Sequence, residues 1–147
     1  MRPQARTLAL IFAALLVLAA AGCGGDSSAS SGDTRPLVTF GRTGGNENKV
    51  YGLVVERGGG ATLTQYPEQV KRFDVGSDKR DDLQSALNDL DIKSLKPTYQ
   101  PDTPTAMGHR YSVTYQGTTV QAVENADMPG QLKSVIDKLG NLVDDEK

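Results

Sequence analysis

Reactive side chains are scarce in this sequence: one cysteine, Cys23, one histidine, His109, and no tryptophan among 147 residues. A lone cysteine cannot pair within the chain, and cysteine zinc sites and CxxC redox chemistry need more than one thiol. Gly24 to Gly32 offers nothing to bury Cys23. At period two His109 shares a strand face with Tyr111 and Val113, at the rim of a core, while Ser112 lies on the opposite face. These two cannot act as nucleophile and base. No HExxH, GxSxG or Walker loop is present. Asp78, Asp81 and Asp82 crowd a helix start as solvated dipole partners, and Asn88-Asp89-Leu90-Asp91 lacks the glycine and closing glutamate of a calcium loop. The expectation is a chain that is not an enzyme, with no catalytic residues, no metal and no soluble cofactor.

Two stretches carry residue types suited to binding. In Arg42-Thr43-Gly44-Gly45-Asn46-Glu47-Asn48 the glycines permit close backbone approach and Glu47 is a metal-seeking carboxylate. The plainer reading is a hairpin turn that needs positive φ at glycine. The second stretch, Lys96 to Gly108, sets Tyr99 among Pro97, Pro101 and Pro104. It reads as a stiff, exposed connection whose aromatic anchors a partner, or as no more than a long helix-to-strand link.

The thiol chemistry is read from its surroundings. Arg2 and Arg6 form a positive start, Leu8 to Ala21 an apolar run too short to span a bilayer, and no basic stop-transfer segment follows. Leu18-Ala19-Ala20-Ala21-Gly22-Cys23 resembles the lipobox of bacterial lipoproteins. The resemblance implies cleavage between Gly22 and Cys23, a covalent diacylglycerol (with or without a further N-acyl chain) on Cys23, and attachment to the extracytoplasmic side of the cell membrane. Ala19-Ala20-Ala21 also satisfies an A-x-A rule, so ordinary secretion stays open. Two acyl chains hold a protein stably where one holds it marginally. The Gly/Ser-rich segment that follows, to Pro36, reads as a coil and spacer.

Segments 1–22, 23–36, 37–143 and 144–147 are thus read as signal peptide, lipidated tether, one domain and a frayed polar tail. The formal net charge is −2, and both leader arginines leave with the signal peptide. Without basic clusters the domain is no candidate for nucleic acid, and any hold on a membrane comes from the lipid.

Strands are expected over Leu37 to Arg42, Val50 to Arg57, Ala61 to Tyr66, Val70 to Val75, Arg110 to Gln116 and Thr118 to Glu124, with turns at Gly58 to Gly60 and at Gly117. Ser77 is expected to cap a helix with the stripe Leu83, Ala86, Leu87, Leu90. Asp127 and Pro129 open a second, with Leu132, Val135, Ile136, Leu139 and Leu142 on one face. One apolar stripe per helix and one apolar face per strand predict an α+β domain, an antiparallel sheet with two amphipathic helices on one face.

In that order of elements, Phe40-x-Arg42-x-Gly44-Gly45, the Leu-rich helix, the Pro-containing loop, Tyr111-x-Val113-x-Tyr115 and the closing helix, the domain resembles the emfourin family. Emfourins are small protein inhibitors of thermolysin-like metalloproteases. The resemblance spans Val38 to Val143 and implies a partner protease; because an inhibitor needs a pre-organised loop, the contact is placed at Arg42, Gly44, Gly45, Asn46 and Glu47, with Glu47 approaching the zinc. Asn46-Glu47-Asn48 is polar where an apolar continuation is expected, and the Gly58 to Gly60 hairpin is expanded. The other reading is a cell-envelope interaction or accessory module with no protease target.

Overall fold

The computed structural model describes residues 33–45, 49–67, 69–103 and 107–147. The signal, Cys23 and most of the tether lie outside these residues, as do Asn46 and Glu47. Strands β1 (Pro36–Thr43), β2 (Val50–Glu56), β3 (Gly60–Tyr66) and β4 (Gln69–Asp74) lead into helix α1 (Ser77–Asn88). A 3-10 turn (Ile92–Ser94), β5 (Thr98–Tyr99), β6 (Arg110–Tyr115), β7 (Thr118–Val123) and helix α2 (Gly130–Glu146) follow.

The strands form one seven-stranded sheet in the order β4-β3-β2-β1-β6-β7-β5. Every pairing is antiparallel except that of β5 with β7. Alternation decides what each strand buries. Val38, Phe40 and Arg42 of β1 stand opposite Val55, Leu53 and Tyr51 of β2. On the other side Phe40 faces Val113, which faces Val120. All of these are buried, and all but Arg42 share one core with Leu83 and Leu87 of α1 and Leu132, Val135, Ile136 and Leu139 of α2. Each such apolar side chain contributes about 1.5–3 kcal/mol by leaving water.

The alternate residues Thr39, Gly41, Gly52, Thr62, Ser112 and Thr114 are all exposed or half-exposed. No described helix is long and apolar enough to cross a membrane.

The tight β6–β7 hairpin turns through Gln116 and Gly117, both with positive φ (49° and 78°). This is the pair of left-handed residues that two-residue hairpins require.

Three local expectations are corrected. Ser77 is the first helical residue and not the cap: Gly76 holds that position, its N–H donating to Asp74 Oδ1 at 2.7 Å. The stretch after the 3-10 turn is not a bare exposed link, because Thr98 and Tyr99 add a strand to the sheet and Tyr99 is only 8% exposed. Finally, residues 144–146 do not fray; α2 runs through them to Glu146.

Candidate functional site

Arg42 is the one buried charged residue described, 8% exposed. It sits on the helix side of β1 because the alternation that turns Val38 and Phe40 inward reaches it next. A charge so placed needs a partner. Its Nη2 donates to Asp144 Oδ1 at 2.8 Å, and its guanidinium carbon lies 4.9 Å from the centre of the Tyr51 ring, its cross-strand neighbour. Nε is buried without a hydrogen-bond partner. Burial pulls the Arg42 pKa down, but the hydrogen bond and charge of Asp144 outweigh it and the net shift is upward. The hydrogen bond from Arg42 holds the Asp144 carboxyl below its ordinary range.

Two more ion pairs tie the last turn of α2 to the fold. Asp145 accepts from Lys79 of α1 at 2.9 Å, and Glu146 from Lys71 of β4 at 2.7 Å.

β1 then runs into the glycine pair. Gly44 and Gly45 both have positive φ, 89° and 76°, a region that costs other residues about 1–2 kcal/mol. Space is also short. A Cβ on Gly44 would fall 2.7 Å from the Gly108 carbonyl oxygen, and one on Gly45 2.5 Å from His109 Nε2. The loop base therefore lies directly against residues 108 and 109.

His109 is held in turn. Its backbone N–H donates to Glu124 Oε2 at 2.9 Å, its ring Nδ1 is 3.2 Å from the same oxygen, and Glu124 N–H returns a bond to the His109 carbonyl at 2.8 Å. The backbone bond from His109 is the main reason the Glu124 carboxyl sits below its ordinary range. The imidazole stacks on Tyr111 and Tyr111 on Phe40, each pair with centroids 6.1 Å apart. Burial raises the Tyr111 phenol.

Of the residues expected at a contact, the structure thus brings Arg42, Gly44 and Gly45 together at one end of the sheet. Tyr99 is elsewhere, its hydroxyl accepting from Lys96 N–H at 3.2 Å. It is not the exposed anchor expected. Asp144 and Glu124 were not singled out from the sequence. The signal was there for the first: an arginine two residues beyond an inward Phe40 demands an acid from a distant element.

Ser112 pairs with Gly41 on the open face while Tyr111, stacked on His109, pairs with Arg42 on the helix side. Among the described residues no group of three His, Cys, Asp or Glu side chains is placed to hold a metal. What the geometry supplies is a braced loop base. Comparison with protein-family models, with curated proteins and with solved structures finds no match.

Proposed function

We propose that this chain is a bacterial lipoprotein, held on the extracytoplasmic side of the cell membrane by acyl chains on Cys23. Its α+β domain is a non-enzymatic binding module that inhibits a thermolysin-type metalloprotease. The lipobox-like Leu18 to Cys23 supports the first part.

One observation supports the second. The loop after β1 leaves the sheet through two left-handed glycines packed on Gly108 and His109, directly beyond the Arg42–Asp144 pair. An inhibitory loop gains affinity when its ends are already fixed, because less ordering cost falls on the binding step. Glu47, the residue assigned to the zinc, belongs to this loop.

The test is titration of a thermolysin-like protease with the full chain in detergent. Stoichiometric loss of protease activity, with the chain uncleaved and with Glu47→Ala weakening the inhibition, is the expected result. Simple digestion of the chain overturns the inhibitor reading. The anchor is tested separately: labelled palmitate is incorporated by the natural chain and not by Cys23→Ala.

The second reading, an envelope interaction module with no protease target, draws support from the helix-free face of the sheet. There polar and apolar residues together line a groove of about 630 Å³.

A further inference from the structure

The groove on the face that no described helix covers sets polar groups among apolar ones, Val50, Pro101, Tyr111, Ala122 and Val123. Gly41 of β1 forms its floor, with Ser112 opposite it on β6 and Gln121 opposite Ser112 on β7. The Ser112 hydroxyl leans across Gly41, where a Cβ would lie 2.5 Å from Oγ. In the next row Thr43 and Arg110 stand side by side. Gln100 closes one flank, next to the buried ring of Tyr99.

Arg110 is the single charged residue among the described lining, which contains no carboxylate. Its guanidinium and the side chains of Thr43, Gln100, Ser112 and Gln121 make no hydrogen bond or ion pair with other described residues.

These groups favour one kind of occupant. Hydroxyls and carboxamides both donate and accept, as sugar hydroxyls do, and a guanidinium pairs with a carboxylate through two parallel bonds. A peptide brings backbone groups that need partners. The backbone of β1 and β6 is already flanked by a strand on each side, and that of β7 by β6 along its length and by β5 at Gln121 and Ala122. The volume falls within the range of about 300–1,000 Å³ usual for small-ligand sites.

We propose that this groove binds an acidic saccharide chain, with a uronate carboxylate on Arg110 and ring hydroxyls on Thr43, Ser112, Gln121 and Gln100. The site is separate from the β1–β2 loop, and its test does not involve a protease.

The experiment is calorimetric titration of the full chain in detergent with trigalacturonic acid, galacturonic acid, maltotriose and tetra-alanine. Trigalacturonic acid binds saturably, one to one, and more tightly than the other three. Arg110→Ala weakens it about tenfold or more, and Gln121→Ala weakens it less. Both positions are exposed, and an unchanged melting temperature separates lost binding from lost folding. The proposal is overturned if the trimer does not bind, or if Arg110→Ala binds it unchanged. It is equally overturned if maltotriose or the monomer binds as tightly as the trimer, or if the peptide is preferred.

Discussion

The two faces of this sheet are made from alternate residues of the same strands, yet they follow different rules. Toward the helices β1 presents Val38, Phe40 and Arg42, every one buried; away from them it presents Thr39, Gly41 and Thr43. The inner face is explained by packing, down to its one charge, which Asp144 and the Tyr51 ring accommodate. Packing among the described residues leaves the outer face unexplained, since no described helix covers it. One face is committed to the core and the other is left to solvent, so substitutions on each side should differ in kind.

The largest effect is expected deepest on the inner face. Phe40→Ala or Leu53→Ala, at positions 1% and 0% exposed, should cost about 3–5 kcal/mol in urea unfolding. Thr39→Ala on the other face of the same strand should stay within about 0.5 kcal/mol. A similar cost for both would erase the contrast.

Next comes the buried charge. Asp144→Ala strands the Arg42 guanidinium and should cost about 1–3 kcal/mol, the half-exposed acid keeping the loss below that of a fully buried pair. Arg42→Met removes the charge and the unpaired Nε together, so it should cost less. If Arg42→Met proves the worse of the two, the ion pair and ring contact contribute more than desolvation takes away.

Gly44→Ala and Gly45→Ala should each cost about 1–2 kcal/mol from backbone conformation, with Gly45 also displacing the His109 ring. Nuclear magnetic resonance of the His109 side chain reads that displacement directly. Unmoved resonances in Gly45→Ala would show that the loop base is not seated on the ring.

The smallest effect is the pH dependence. Asp144 and Glu124 have folded pKa values below their ordinary 3.8 and 4.5, so the unfolded chain binds protons first on acidification. Their contributions are whole above those ordinary values and are lost as pH falls through the lower folded ones. The stability gap between the natural chain and Asp144→Asn should therefore be constant near neutrality and narrow below pH 3.8. A gap that persists unchanged at lower pH would place the effect of Asp144 outside its charge.

Much of the inner face was legible in the sequence, because alternation is local. Tyr51, Leu53 and Val55, or Tyr111, Val113 and Tyr115, announce their face without knowledge of their partners. The glycine turns were legible for the same reason. What escaped depends on distant segments. Tyr99 sits among prolines, which argue for an exposed link, and only its parallel pairing with Ala122 draws it inward. Asp144, Asp145 and Glu146 look like a solvated tail until Arg42, Lys79 and Lys71 arrive from three other elements. At Ser77 a good capping residue was displaced by one position, because Asp74 already serves the turn before it. At the candidate site, the glycines and Arg42 could be named in advance, but not the groups that brace them.

The direction of β1 carries a consequence for reach. The strand starts at Pro36, where the segment from Cys23 arrives, and ends at Thr43, where the glycine pair begins. Eight extended residues at about 3.3 Å each make a rod of about 26 Å. The point of entry of the tether and the point of departure of the glycine pair are thus held at opposite ends of one strand. A change in the length of the segment before Pro36 therefore acts at the end of β1 away from Gly44 and Gly45, and should leave their conformation as it is.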